Sequence, residues 1–354
     1  MNIKRIRTTF CITGWLLTVI QSPTIGNQQP ASVAPKAPEP SAVKQANQPA
    51  PINTIWFAPA TLLTSGTEKE LTTKLKQWTT AGPFDGFPIR ILPPTFADPQ
   101  DFIPRANALD EVLGGTLIIG TFAVGKDGWE TSFNERFARQ FGFNYDASKA
   151  VTQSEWLKTM SALTANTWAW VLEQPAQMPP PLEATARSAA EFAEIAKAQN
   201  RKVIIWISAM GLQPEPLLAI LRRVIEATRA QADYFVWMDL PGVVLQQTLG
   251  RRPNSPEEGR MTPQMLATME KLLDQIVTLT PPEKTLIQWT HSPFLPTQDV
   301  EGTVAYITAC QRKGINRFVL FFSLEGLEQE PWRSFYQTLP KVKRADRRPA
   351  PSDS

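Results

Sequence analysis

The sequence has few of the side chains that usually bind metal ions or form covalent crosslinks. Its 354 residues include one histidine, His291, and two cysteines, Cys11 and Cys310. A site built from two histidines is therefore excluded, as are a zinc site and a disulfide framework built from cysteines. Cys310 stands in an apolar stretch, which favours a buried thiol over a nucleophile. We accordingly predict no metal and no other cofactor.

The chain also lacks a broadly basic body. Its formal net charge is +3, but residues 1–26, 27–53 and 341–354 together carry +7, so residues 54–340 carry −4. Proteins that bind nucleic acids usually present a basic patch to the phosphate backbone. The acidic central segment therefore predicts no nucleic-acid partner.

No apolar run in the sequence is long enough to span a bilayer. The longest N-terminal run, Thr8–Ile20, follows Lys4, Arg5 and Arg7 and precedes small and polar residues. A basic segment followed by a short apolar one is typical of a secretory signal peptide. We predict a signal peptide over residues 1–26, a secreted or periplasmic protein, and no membrane span in the mature chain. An uncleaved membrane anchor is the less favoured alternative.

Composition divides the rest of the chain into three parts. Residues 27–53 are rich in proline and alanine and contain no aromatic residue, which predicts a disordered linker. Residues 341–354 also contain no aromatic residue and carry five basic and two acidic side chains, which predicts a disordered basic tail. The segment 54–340 is apolar enough to form one large folded domain.

Short apolar runs recur along this domain. They are rich in β-branched and aromatic residues, as in strands buried on both faces of a parallel sheet. Each leads into a segment with helical periodicity, at a spacing of about 30 to 50 residues that suits one strand–helix unit. The runs are Thr54–Pro59, Gly86–Leu92, Gly115–Val124, Thr167–Glu173, Lys202–Ala209, Asp233–Leu240, Thr285–His291 and Asn316–Leu324.

Eight strands that alternate with helices predict an α/β fold, a (β/α)8 TIM barrel. Helical periodicity is clearest over Glu68–Thr80, Ala184–Gln199, Glu215–Ala230, Pro263–Thr278 and Val300–Lys313. The competing fold is an open doubly wound sheet, but no GxGxxG motif follows any of the runs. Residues 120–126 match the first seven positions of a phosphate-binding P-loop. Asp127 stands where that motif needs serine or threonine, which favours a glycine-hinged loop instead.

Three carboxylates follow strand runs, and a barrel gathers its strand ends at one face. They are Glu173, Asp239 and Glu325. Glycoside hydrolysis needs two carboxyl groups roughly 5 to 10 Å apart. Apolar neighbours predict a raised pKa for Glu173 and the role of general acid. Asp239, close to a Pro-Gly turn, should be more solvated and stay ionised, as a nucleophile or base, with Glu325 as its substitute. The alternative is that these residues cap helices or pair with Arg90.

Other residues near the strand ends are candidates for binding a substrate. They are Arg90, Trp129, Trp237, Trp289 and His291. Since side chains alternate along a strand, Trp237 should share a face with Asp239, and Trp289 with His291. Trp206 and Ser208 stand in the same relation. This spacing predicts an aromatic floor beneath a polar rim, unless the tryptophans simply fill the core. His291 could equally be a surface turn residue.

With these features the chain resembles the (β/α)8 barrels of secreted glycoside hydrolases, at the level of the fold and without a match to a particular family. Many such barrels carry Asn-Glu at the end of strand four and Glu at the end of strand seven. Here the corresponding positions hold Leu172-Glu173 and His291, so only Glu173 is carried over by position, as an acid/base. Asp239 matches the strand-six carboxylate of some sugar-cleaving barrels.

The resemblance implies an exported enzyme that acts on a glycan by carboxylate acid/base chemistry. The alternative is a non-catalytic barrel that binds a polysaccharide or a surface partner. A third hypothesis is another metal-independent hydrolase or lyase. The arrangement of the carboxylates separates the first two, because catalysis needs a convergent pair.

Overall fold

A computed structural model describes residues 49–59, 72–73, 75–76, 83–126, 128–141, 143–172, 181–212, 216–250, 258–290, 300–322 and 327–339. Eight strands lie in these ranges, and neighbouring strands are parallel. They are β1 Thr54–Pro59, β2 Phe87–Ile91, β3 Leu117–Phe122, β4 Thr167–Leu172, β5 Lys202–Ser208, β6 Tyr234–Met238, β7 Thr285–Thr290 and β8 Arg317–Phe322. All eight predicted runs are therefore confirmed as strands.

The sheet closes into a barrel. The strands follow one another in the order β1-β8-β7-β6-β5-β4-β3-β2, with β1 paired along its whole length to β8. The remaining seam joins β1 to β2 through a parallel bridge between Trp56 and Gly86, where Phe57 N donates to Gly86 O at 2.9 Å. The (β/α)8 barrel predicted from the sequence is thus confirmed, and the open sheet is excluded.

Helices connect successive strands. The described ones are α1 Pro99–Val112, α2 Trp129–Phe141, α3 Gln153–Met160, α4 Leu182–Ala198, α5 Leu217–Thr228, α6 Leu240–Leu249, α7 Pro263–Leu279, α8 Val300–Arg312 and α9 Trp332–Thr338. Four of them, α4, α5, α7 and α8, match predicted helices. Of the predicted helix Glu68–Thr80, only residues 72–73 and 75–76 are described, and these are helical. No helix in the described ranges is long and apolar enough to cross a bilayer.

Several helix starts are fixed by side-chain caps. Thr152 Oγ1 accepts a hydrogen bond from Glu155 N at 3.2 Å, and Glu155 Oε2 accepts one from Thr152 N at 2.8 Å, which forms a capping box at α3. Asp98 caps α1 through a single bond, in which its Oδ1 accepts from Gln100 N at 2.9 Å. Such caps satisfy amide groups that the helix itself leaves unpaired.

The core has two layers because strand side chains alternate between the faces of the sheet. One set fills the barrel interior and includes Trp56, Val171, Trp206 and Phe321. The other packs against the helices in a larger cluster. A residue's parity on its strand therefore decides whether it can reach the mouth of the barrel.

The folded domain starts a little before its predicted boundary. Residues 49–53, which the sequence assigns to the linker, contact the barrel: Ile52 is fully buried, and Asn53 N donates to Asn316 O at 3.0 Å. The folded domain extends to these residues because the apolar side chain of Ile52 packs into the core. The predicted signal peptide, the rest of the linker and the basic tail lie outside the described residues.

Candidate functional site

Asp239 stands at the carboxyl end of β6 in an unusual backbone conformation. The strand ends at Met238, and Asp239 has φ 63° and ψ 12°, in the left-handed region. Residues other than glycine rarely adopt this conformation, although aspartate tolerates it better than most. Asp239 precedes α6, yet its side chain makes no capping hydrogen bond to that helix. Asp239 thus occupies the N-cap position without capping the helix through its carboxylate. The other alternative, a pairing with Arg90, agrees with the charge interaction between the two residues.

The carboxylate of Asp239 turns toward the barrel interior instead. Ser208 Oγ donates a hydrogen bond to Asp239 Oδ2 at 3.3 Å. Burial raises the pKa of Asp239, and this effect is opposed by the positive charge of Arg90 and by the Ser208 hydrogen bond. Desolvation thus raises the pKa of Asp239, and Arg90 and Ser208 offset part of that rise. The expectation of a well-solvated Asp239 is wrong, because its side chain turns into the barrel toward Ser208.

Arg90 lies within the barrel wall and is 8% exposed. Its guanidinium carbon lies 5.9 Å from the ring centroid of Phe122 and 5.8 Å from those of Trp206 and Phe321. Burial lowers its pKa to about 10, against the opposing effect of Asp239. Arg90 therefore stays protonated at neutral pH, supported by aromatic faces that attract cations. The sequence predicts Arg90 as a binding residue near a strand end, and the structure buries it among the interior side chains.

Polar groups continue below Asp239 in the barrel. Ser208 Oγ also accepts a hydrogen bond from Met210 N at 3.2 Å, and Trp206 Nε1 donates to Gln288 Oε1 at 3.1 Å. Trp206 and Ser208 share the inward face of β5, as their spacing predicts. Gln288 was not among the predicted site residues, although a glutamine inside the apolar run of β7 could have singled it out.

Trp237 and Trp289 face the opposite way. Trp237 is fully buried between the sheet and the helices, where its Nε1 donates to Thr280 Oγ1 at 3.0 Å. Trp289 packs against Tyr306 of α8 and Tyr336 of α9. Neither indole lines the interior of the barrel. The prediction that Trp237 and Trp289 form an aromatic floor beneath the site is therefore wrong. At both positions tryptophan supplies bulk to the layer between strands and helices.

Aromatic side chains instead gather above β2 and β3. Trp129 begins α2, is half-buried, and lies 6.1 Å from Phe133, which belongs to the interior cluster. Phe96 lies 6.2 Å from Phe143 and 5.6 Å from Tyr145. The indole N–H of Trp129 is buried, with no hydrogen-bond partner in the part of the chain that the structure describes. This cluster forms an aromatic wall on one side of the barrel mouth.

The loop that resembles a P-loop offers no cradle for phosphate. A Cβ atom on Gly125 would lie 2.7 Å from Glu130 Oε2, so a carboxylate already occupies the space beside this glycine. Burial, reinforced by Glu191, raises the pKa of Glu130. Thr131 Oγ1 closes the loop by donating to Gly125 O at 3.2 Å. The arrangement fits the glycine-hinged loop favoured by the sequence.

Three predicted site residues, Glu173, His291 and Glu325, lie outside the described residues. Their proposed roles stay predictions. Within the described ranges, no group of three histidine, cysteine, aspartate or glutamate side chains is arranged to hold a metal ion. Cys310 is fully buried, which raises the pKa of its thiol.

Comparison with solved structures places the chain among TIM barrels. A GH18 chitinase from Pseudoalteromonas aurantia aligns with a TM-score of 0.50 at 12% identity, over 80% of this chain and 99% of its own. The Bacillus megaterium spore cortex-lytic enzyme SleL (TM-score 0.45, 10% identity, 87% and 77% coverage) and the Pseudomonas aeruginosa hydroxymethylglutaryl-CoA lyase (0.41, 12%, 77% and 77%) are less similar. At these identities the likeness concerns the fold. No family model and no curated protein sequence matches the chain.

Proposed function

We propose that this protein is an exported barrel that acts on a glycan at its C-terminal mouth by carboxylate acid/base chemistry. The observation that carries the proposal is Asp239: a desolvated carboxylate, on a left-handed backbone, aimed at Ser208 inside the barrel. Strained conformations and displaced pKa values both concentrate at functional sites. The likeness to a chitinase barrel supports the fold that this function needs.

Asp239 is the proposed nucleophile or base. Arg90 places a positive charge near it and favours the carboxylate form, as either role requires. Glu173 directly follows β4 and is the proposed general acid. Glu325, shortly after β8, is the proposed substitute partner. The strands β4 and β8 are parallel to β6, so their carboxyl ends lie on the face where β6 delivers Asp239, which supports the proposal for Glu173 and Glu325.

The aromatic wall is the proposed sugar-binding surface. Trp129 and Phe96 present partly exposed rings at the mouth, and apolar sugar faces pack well against such rings. Trp129 therefore keeps its proposed role in binding, and His291 remains a proposed rim residue. A glycan-binding barrel without catalysis is the alternative, since the wall could hold a sugar without a second carboxylate.

Export is part of the proposal because the sequence has a basic N-terminal segment followed by a short apolar run, as signal peptides do. Sequencing the N-terminus of the native protein should show the loss of roughly the first 20 to 35 residues. An intact Met1 on protein in the soluble cytoplasmic fraction would contradict export.

The proposed activity is tested on a panel of glycans that includes chitin oligosaccharides, cell-wall fragments and fucosylated sugars. Glu173→Gln keeps the size of the side chain but cannot donate a proton, so turnover should fall by about 10²-fold or more while binding persists. Glu183→Gln is the matched control, because Glu183 pairs with Arg223 on the exposed surface of α4 and α5. Binding without hydrolysis by the unaltered protein would favour the non-catalytic alternative. Equal loss of binding and turnover in Glu173→Gln would make Glu173 a ligand-positioning residue.

A further inference from the structure

The hydroxyl group of Ser208 bridges the backbone amide of Met210 and the carboxylate of Asp239. Ser208 ends β5 on the inward face, with 1% of its surface exposed. Its Oγ accepts a hydrogen bond from Met210 N at 3.2 Å and donates one to Asp239 Oδ2 at 3.3 Å. The amide N–H fixes the acceptor side of the hydroxyl, so its proton is directed at Asp239.

We propose that Ser208 is the positioning residue of Asp239, a role that rests on the proposed function of that carboxylate. The strand supplies a rigid base for the hydroxyl, whereas Asp239 lies at a turn where β6 passes into α6. A hydrogen bond from a fixed donor selects one orientation of the carboxylate and favours its ionised form. Ser208 does not itself need to touch the substrate.

Arg90 completes the surroundings of the carboxylate. Among the described residues, Arg90 on β2 and Ser208 on β5 are the groups that favour the ionised form of Asp239, and burial opposes them. Arg90 acts through its charge, while Ser208 contacts one named oxygen. Loss of the serine hydroxyl should therefore change both the pKa and the orientation of Asp239, with the charge of Arg90 still in place.

The decisive variants are Ser208→Ala, which removes the hydroxyl, and Ser208→Thr, which keeps it. In an active protein, Ser208→Ala should move the acidic limb of the kcat/KM profile upward by roughly 0.5 to 1 pH unit, since the bond is longer than the roughly 2.7 Å of strong charge-assisted ones. It should lower kcat about 10-fold with little change in KM, and Ser208→Thr should restore the profile. A drop in thermal stability without a shift of the limb would overturn the proposal.

A second readout does not depend on activity. The free energy of unfolding is measured from pH 4 to 8 for Ser208→Ala in two backgrounds, the unaltered protein and Asp239→Asn. If Ser208 acts on Asp239, the alanine variant changes the pH dependence in the first background and leaves it unchanged in the second. The same change in both backgrounds would overturn the proposal. A positive result here, with no glycan turned over, would mean that the proposed function fails while the contact between the two residues stands.

Discussion

The left-handed backbone of Asp239 can be tested by exchanging its side chain for alanine and for glycine. Both exchanges remove the carboxylate and its hydrogen bond to Ser208, so the difference between them isolates the backbone. At φ 63° alanine bears a left-handed penalty of about 1–2 kcal/mol that glycine avoids. Glycine loses about 0.5–1 kcal/mol more chain entropy on folding. The balance favours Asp239→Gly over Asp239→Ala by roughly 0.7 kcal/mol.

Thermal unfolding of the purified variants measures this difference. For a barrel of this size, roughly 0.7 kcal/mol corresponds to a Tm about 1–2 °C higher for Asp239→Gly. Glu194 supplies the control, since it is exposed in the interior of α4 with ordinary helical geometry. There alanine should exceed glycine by about 1 kcal/mol, the opposite sign. If alanine is also the more stable choice at position 239, the strained conformation and the argument built on it are refuted.

Three further predictions concern pH, the tryptophans and a close packing contact. Burial raises the pKa of Asp239 in the folded state, so its contribution to stability is present below the unfolded pKa and is lost as pH rises through the folded pKa. In denaturant titrations, the free energy of unfolding of the unaltered protein relative to Asp239→Asn should therefore decline from about pH 4 upward. A difference that does not change with pH would refute this prediction. Trp237→Phe should lower Tm without changing glycan affinity, because Trp237 packs between the sheet and the helices. Trp129→Phe should instead weaken glycan binding measured by calorimetry. The reverse pattern would refute the assignment of Trp237 to the core. Gly211→Ala should destabilise the fold by about 1–3 kcal/mol, because its Cβ would lie 2.5 Å from the side chain of Leu221. Gly242→Ala is the control, because a Cβ there would lie in open space and should not destabilise the fold. Equal effects of the two substitutions in thermal melts would contradict this packing.

The sequence predicts the barrel well because its signals are local and repeated. Each buried strand shows as a run of apolar residues, and all eight runs agree with the observed strands to within a few residues at each end. Helices α1, α2, α3, α6 and α9 were not predicted. Of these, α3, α6 and α9 have ten residues or fewer, and a short helix leaves little periodicity in the sequence. The start of α3 is set by the Thr152–Glu155 capping box.

The site is predicted less completely, and β5 and β6 show why. Alternation assigns Trp206 and Ser208 to one face, which is correct because β5 continues through Ser208. The same rule pairs Trp237 with Asp239 and fails, because β6 ends at Met238 and Asp239 turns left-handed. One positive φ angle sends the carboxylate inward while the indole stays outside. No composition or periodicity signal announces that turn.

The interior arginine illustrates a second limit. Arg90 was predicted as a candidate from its place on a strand, but three aromatic rings surround its guanidinium, and they come from β3, β5 and β8. Such a neighbourhood depends on how distant strands are brought together around the barrel. The sequence alone therefore predicts that Arg90 matters without predicting that it lies buried as a counter-charge to Asp239.

The most direct test of Asp239 as the functional carboxylate compares the unaltered protein with Asp239→Asn. Turnover of the glycan panel is measured for both proteins at pH 7, and unfolding is measured on the same samples. Asparagine keeps the size of the side chain and tolerates the left-handed backbone, but it can act neither as nucleophile nor as base. We expect turnover to fall by about 10²-fold or more while the fold is retained and the glycan is still bound. Undiminished turnover in a folded Asp239→Asn variant would contradict the assignment of Asp239 as the functional carboxylate.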